Sequence, residues 1–214
     1  MAMQAWVFVR YSGAAGLGHV GWAFQRDGGS AICGATENPS GGGFGVPAKD
    51  KGAWHVCIPA QDVLREFTRS HFNCGGYDAA KVISVSDADP GKAWNVMNWC
   101  EQQDYWVSGV PRGRNCMDDA FDVLTAFGLS KLPWPTLNPL PNGWFNVMPG
   151  QLVSLKGMRL VAEAEIETLE LPPATPLQPT WRMPGTPEYE EFVKGVEATQ
   201  AEEERAARGA AEPA

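Results

Sequence analysis

Short runs of alternating apolar and polar residues occur along most of the first 170 residues and predict a sheet. In the clearest run, 19–25, Val20, Trp22 and Phe24 lie on one face of a strand, and His19 begins it on the other. Gly-rich turns between successive runs indicate antiparallel hairpins. The predicted strands are 5–10, 19–25, 31–36, 53–58, 81–85, 151–156 and 159–171.

Helical spacing of apolar residues predicts two longer helices and a short one. One helix is expected over 91–102, after Asp89 and Pro90, and a short helix over 62–69. The second long helix begins at Cys116 after an Asn115 N-cap and ends at Gly128. The Pro-rich stretch from Gly128 to Pro149 is expected to be a non-helical loop. Strands and segregated helices together predict an α+β protein.

Length and charge divide the chain into two parts. A domain is predicted over 1–171, followed over 172–214 by a Pro-rich linker and an acidic, partly helical or disordered tail. The net charge is −8, and residues 161–214 alone carry 12 acidic and four basic side chains. The absence of a basic stripe argues against nucleic-acid binding, and the acidic tail suits a protein partner.

Several common classes of protein are disfavoured by simple patterns. No apolar run reaches about 18 residues, so no stable membrane insertion is expected. Residues 1–6 do not resemble a secretory signal, which predicts a cytoplasmic protein. The cysteine count of five is odd and lacks a C-x-x-C pair, which argues against a zinc ribbon or a disulfide scaffold.

A glycine motif at 16–21 matches the dinucleotide-binding pattern G-x-G-x-x-G. That site needs a helix directly after the motif, because the helix N-terminus binds the pyrophosphate. Here the sequence continues as a predicted strand, so a dinucleotide cofactor is not expected. Neither an organic cofactor nor a metal is predicted.

Cys116 is the candidate nucleophile, because a thiol at a helix N-terminus feels unpaired N–H groups that favour the thiolate. Such chemistry needs a base, and His19 is the best candidate in the chain. The alternatives are that Cys116 is a buried structural residue and that His19 is a hydrogen-bond donor at a loop–strand junction, but the two residues together favour the catalytic roles. His55 and His71 are predicted to be structural, and Asp118 and Asp119 to be helix N-terminal charges.

The order of these motifs is that of a known superfamily. A Gly-His-Val-Gly-Trp-Ala-Phe strand (18–24) precedes an Asn-Cys helix start (115–116), which resembles the circularly permuted papain-like proteins. That superfamily includes lecithin retinol acyltransferase and NlpC-type amidases and peptidases. The resemblance covers about residues 5–128. It implies an antiparallel sheet packed against the helix that carries the cysteine.

The resemblance also implies a third polar residue on the strand after His19. Glu37 is the nearest candidate and Asn38 the alternative, since the second histidine frequent in the acyltransferases is absent there. An oxyanion hole would use the Cys116 backbone N–H.

Three functions follow as expectations. The first is a thiol-dependent hydrolase that cleaves an amide, peptide or ester bond through a Cys116 acyl-enzyme. The second is a non-catalytic ligand- or protein-binding module on the same fold. The third is a lipid acyltransferase, which would need an apolar surface for docking to membranes.

Overall fold

Six antiparallel strands and several helices form the described part of this computed structural model, which covers residues 2–38, 46, 50–105, 114–135, 137–158 and 165–175. The strands are β1 (Met3–Arg10), β2 (His19–Gln25), β3 (Ser30–Glu37), β4 (Gly52–Pro59), β5 (Ala79–Val85) and β6 (Gln151–Ser154). The helices are α1 (Gly13–Gly16), α2 (Val63–Glu66), α3 (Pro90–Glu101), α4 (Cys116–Phe127) and α5 (Pro141–Val147), with a 3-10 turn at Ala60–Asp62. The α+β prediction is confirmed.

One sheet contains all six strands in the order β4-β3-β2-β1-β5-β6. In the β1–β2 hairpin, Arg10 is directly opposite His19. The β2–β3 register pairs Trp22 with Gly34, and the same register extended to the strand ends puts Glu37 opposite His19. Paired residues share a face of the sheet. Three polar residues therefore lie side by side at one end of the three central strands.

Helix α4 packs on the opposite face of the central strands, beside α3. Thr36 of β3 donates a hydrogen bond of 2.8 Å to Asp119 of α4, and the Phe24 and Phe127 rings lie 5.4 Å apart. The predicted cap is present: the Asn115 side chain accepts bonds from the N–H groups of Met117 and Asp118. The Asp118 carboxylate in turn accepts the Asn115 N–H at 3.0 Å, which completes a capping box.

The other face of the sheet is covered by aromatic residues from the segment between β4 and β5. Phe67 stacks on Phe8 with ring centroids 3.5 Å apart, and Tyr77 meets Phe67 edge to face at 5.0 Å. These three side chains are fully or almost fully buried. The polar residues at the strand ends therefore border an apolar core, where an unpaired charge would be costly.

Four sequence predictions need correction or fall wholly or partly outside the described residues. The Pro-rich stretch before Pro149 was expected to be non-helical, but Pro141 occupies the first turn of α5, where a missing N–H costs nothing. The helix predicted over 62–69 is only one turn, α2, after a 3-10 turn. Of the strand predicted over 159–171, residues 159–164 lie outside the described range, and Leu169 makes only an isolated bridge to Cys57. The tail from 176 onwards also lies outside it.

Candidate active site

An imidazole and a carboxylate lie in contact at the ends of β2 and β3. His19 Nε2 is 3.2 Å from Glu37 Oε2, an ion-pair distance at which the two groups are not aligned for a hydrogen bond. Both side chains are buried, and Glu37 is only 1% exposed. The predicted pairing of His19 with a carboxylate on the next strand is therefore present. Because Glu37 faces Nε2, the ring nitrogen left for other chemistry is Nδ1.

Two further side chains hold Glu37. Arg10 Nη2 lies 2.8 Å from Oε2 of Glu37, and the Tyr77 hydroxyl donates a hydrogen bond of 3.0 Å to Oε1. Arg10 also donates from Nη1 to the Gly75 carbonyl at 2.8 Å. Hydrogen bonds from Arg10 and Tyr77 offset the cost of burying a charged carboxylate. The sequence analysis missed both residues, although the hairpin register alone places Arg10 beside His19.

Burial and neighbouring charges set the protonation states in this cluster. The pKa of His19 is lowered to about 4: burial is the largest cause, the Glu37 charge opposes it, and the Arg10 charge adds a smaller lowering effect. Burial alone would raise the pKa of Glu37, but the charges of His19 and Arg10 and two hydrogen bonds bring it below its usual value. At neutral pH, His19 is therefore a neutral imidazole beside an ionised Glu37.

The Cys116 thiol lies at the start of α4, against the first peptide group of β2. Its neighbours are the backbone N–H of Val20 and the hydroxyl of Tyr105, and both favour the thiolate. The Val20 nitrogen belongs to the peptide group that follows His19, so α4 brings the thiol to the strand position predicted from the sequence. In the described part of the chain, no hydrogen bond joins the thiol to the His19 ring.

The acidity of Cys116 differs from the sequence expectation. The pKa of the thiol is raised from 9.0 to about 12; burial is the largest cause, and the charges of Asp119 and Asp118 act in the same direction. The helix N-terminus was expected to lower that pKa, but a thiol that is only 4% exposed loses more by leaving water than it gains from nearby N–H groups. The resting protein therefore holds a neutral thiol and a neutral imidazole.

Tyr105 is a third residue that the sequence analysis missed. Its buried hydroxyl contacts the Cys116 thiol and the Cys116 backbone N–H, the group expected to stabilise an oxyanion. Backbone hydrogen bonds to Val46 in both directions, at 2.6 and 2.8 Å, fix the tyrosine backbone. A tyrosine 11 residues before a cysteine carries no recognisable sequence signal.

The loop before His19 is held tightly against the strand end. A Cβ added at Gly13 would lie 2.5 Å from the His19 Cβ, and one at Gly18 would lie 2.1 Å from Asn142 Oδ1. Gly18 also has φ +103°, which favours glycine. The Asn142 side chain of α5 donates to the carbonyls of Tyr11 and Gly16, at 3.2 and 3.1 Å. These contacts fix the entry of the chain into His19.

The remaining sequence candidates have structural partners. Asp119 accepts hydrogen bonds from Thr36 and from Arg114 Nε, and Asp118 belongs to the capping box. His55 contacts Glu101, and His71 contacts Glu66 at 3.0 Å and stacks on Trp54. Asn38, the alternative to Glu37, follows the end of β3. The prediction that His55 and His71 are structural agrees with these contacts.

Neither a metal nor a membrane span is indicated in the described residues. Within them, no three His, Cys, Asp or Glu side chains are placed to hold a metal ion together. The described helices are all too short or too polar to cross a bilayer. Comparisons of the chain with protein-family models, with curated proteins and with solved structures found no match.

Proposed function

We propose that this protein is a thiol-dependent hydrolase of permuted papain-like fold that cleaves an amide, peptide or ester bond through an acyl-enzyme on Cys116. The observation that carries the proposal is the meeting of the α4 start with the β2 start, where the thiol lies against the His19–Val20 peptide group and Glu37 faces His19 Nε2. A thiol, a base and a residue that orients the base are the parts such a reaction needs.

The chemistry would proceed in two balanced steps. His19 Nδ1 takes the thiol proton as sulfur bonds to the substrate carbonyl carbon, and the same proton passes to the leaving amine or alcohol when its bond to carbon breaks. Water then attacks the thioester, gives a proton to His19 and releases the acid, and that proton returns to sulfur. The Cys116 N–H and the Tyr105 hydroxyl are the groups closest to the developing oxyanion.

This chemistry requires the site to tighten when substrate binds. The thiol and imidazole are both neutral at rest and are not hydrogen-bonded to each other, whereas the reaction needs the proton to move from one to the other. Catalytic hydrogen bonds in free enzymes are often long and tighten only in the substrate complex. A substrate carbonyl at the Cys116 N–H would place its developing oxyanion against that donor, so the negative charge would not have to stay on the buried sulfur.

The test is acyl-enzyme trapping with panels of activated esters, anilides and small peptides. Cys116→Ala should remove turnover and the acyl mass increment on the 114–130 peptide, and His19→Ala should slow turnover by about 10²-fold or more. Cys57→Ala is the matched control, because Cys57 is equally buried but lies in β4. Turnover that persists in Cys116→Ala would refute the proposal.

A second candidate, a non-catalytic binding module on the same fold, is favoured by the buried thiol itself. Cys116 is only 4% exposed, its pKa is raised, and its partners are Val20 and Tyr105 rather than His19. A binding module would bind the ester or amide panel without cleavage. The binding module would be favoured over the hydrolase if wild-type protein binds a panel member, leaves it intact and shows no mass change on Cys116.

A further inference from the structure

Arg10 is the one cation in contact with the Glu37 carboxylate in the described structure, and the sequence motif that predicts the site does not include it. It is 8% exposed, at the end of β1 opposite His19. We propose that Arg10 is a positioning residue, which fixes the Glu37 carboxylate against His19 Nε2 and so reserves Nδ1 for the thiol proton. This inference rests on the proposed hydrolase function.

The first argument is the number of contacts that immobilise Arg10. Its two terminal nitrogens donate to different partners, one to Glu37 and one to the Gly75 carbonyl, each at 2.8 Å. The guanidinium carbon also lies 5.3 Å from the centroid of the Tyr77 ring. A planar guanidinium that is hydrogen-bonded through both terminal nitrogens and lies over an aromatic ring has a fixed orientation, and it therefore fixes the orientation of the carboxylate that it binds. Arg10 therefore acts as a fixed clamp on Glu37.

The second argument is how the two carboxylate oxygens are shared. Oε1 of Glu37 accepts from the Tyr77 hydroxyl at 3.0 Å, and Oε2 lies 2.8 Å from Arg10 and 3.2 Å from His19. If Arg10 were absent, Oε2 would lose its one cationic hydrogen-bond donor in the described structure. The carboxylate could then turn, and the imidazole would lose the neighbour that selects its tautomer.

The third argument is the balance of charge around His19. The titratable groups around its ring are Glu37 from β3, Arg10 from β1 and Tyr77 from the segment before β5. Cys74, from the same segment as Tyr77, interacts with Glu37 and Arg10, and the Cys116 thiol of α4 lies against the peptide group that follows His19. Glu37 alone would favour an imidazolium, which has no lone pair for the thiol proton. Burial opposes that effect most strongly, and the Arg10 cation offsets a further part of it, so both lower the pKa of His19. Arg10 thus orients the carboxylate that selects the tautomer, and its charge adds to the effect of burial on the protonation state.

The experiment is a titration of His19 by NMR in protein labelled with ¹⁵N-histidine. The chain has three histidines, so His55 and His71 are internal references in the same spectra. The variants are Arg10→Met and Arg10→Lys, with Lys81→Met as the control. Lys81 is another buried cation, on the neighbouring strand β5, where its ammonium donates to the backbone carbonyls of Asn146 and Met148.

Wild-type His19 should carry its proton on Nε2 and titrate near pH 4. In Arg10→Met the midpoint should rise by about one pH unit or more, and the Nε2–H tautomer should lose its dominance. Arg10→Lys should keep the midpoint close to that of wild type, because it keeps the charge. Lys81→Met should change neither. An Nδ1–H tautomer in wild type, or an unchanged midpoint and tautomer in folded Arg10→Met, would overturn the proposal.

A further variant covers the case in which Arg10→Met does not fold. Glu37→Gln removes the anion and keeps the shape, so the His19 midpoint should fall and its tautomer should become mixed; an unchanged His19 in this variant would also overturn the proposal. The spectra do not depend on turnover. If the hydrolase proposal is wrong, Cys116 of the wild-type protein will not be acylated. If the Arg10 proposal is wrong, the His19 titration will show it.

Discussion

At the scale of single residues, Cys116 and Tyr105 illustrate how burial competes with hydrogen bonding. The Val20 N–H and the Tyr105 hydroxyl both favour the thiolate, yet burial still raises the pKa of Cys116 to about 12. Burial likewise raises the pKa of Tyr105 well above its usual range, so the phenol remains a neutral donor at neutral pH. The hydroxyl is thus one of the few groups that limit the cost of charging the sulfur.

Tyr105→Phe should therefore slow alkylation of Cys116 by iodoacetamide at pH 9 by about tenfold, the effect of one hydrogen bond to a charged group. Peptide mapping by mass spectrometry gives the rate at each cysteine, and partly buried Cys74 is the internal reference. Tyr11→Phe is the matched control, because Tyr11 is exposed. An equal or faster rate at Cys116 in Tyr105→Phe would mean that the hydroxyl shields the thiol rather than stabilising its charged form.

At the scale of elements, the short loop between β1 and β2 sets the position of His19. The one-turn segment α1 in this loop is not regular α-helix, because Ala14 and Ala15 have positive φ, 45° and 57°, a backbone conformation that costs energy for residues other than glycine. The loop keeps this shape because Gly13 allows the chain to pass directly over the His19 Cβ.

Gly13→Ala should displace His19 and lower hydrolase activity by at least tenfold, since a misplacement of about 1 Å can cost about 10²-fold. The control is Gly28→Ala in the β2–β3 turn, where an added Cβ meets nothing within 4 Å. The His19 signals in ¹⁵N-histidine spectra report displacement directly. If they are identical in Gly13→Ala and wild type, the loop does not position the imidazole.

The elements that sequence reasoning predicted well have strong local signals. Alternating apolar residues gave β2 its exact bounds, and Asn115, Asp118 and Gly128 gave both ends of α4, because caps and periodicity act over a few residues. Helix α5 was missed, since its prolines and glycine read as a loop and its stability comes from burying Trp144 and Phe145. Packing of this kind is not visible in a local pattern.

The candidate site shows the same division between local and long-range information. His19, Glu37 and Cys116 were found because each begins or ends a predicted element. The position of Arg10 could have been predicted from the register of the β1–β2 hairpin. Tyr77 and Tyr105, in contrast, come to the site from segments far apart in sequence. The raised pKa of Cys116 was also missed, because the cost of burial depends on how α4, β2 and Tyr105 close over the thiol.

At the scale of the whole molecule, His19 and Asp118 make the free energy of unfolding change with pH in opposite directions. His19 has its pKa lowered, chiefly by burial, from 6.5 to about 4, so the unfolded chain binds more protons than the folded one between these values. Stability gained from this group rises with pH. Partly buried Asp118 has its pKa raised by burial from 3.8 to about 6, so the folded chain binds more protons there, and stability falls as pH rises.

The two slopes should nearly cancel in wild type between about pH 4.5 and 6, and single substitutions should separate them. His19→Gln leaves only the contribution of Asp118, so the free energy of unfolding should fall as pH rises through this range. Asp118→Asn keeps an oxygen for the capping box and leaves His19, so the free energy of unfolding should rise with pH, in each case by up to about 1.4 kcal/mol per pH unit. Urea unfolding at half-unit pH intervals measures both slopes. Glu37 and Asp27, whose pKa values lie below their usual values, act mainly below this range. Slopes of the same sign in the two variants would mean that the charges of His19 and Asp118 are set by something other than their burial.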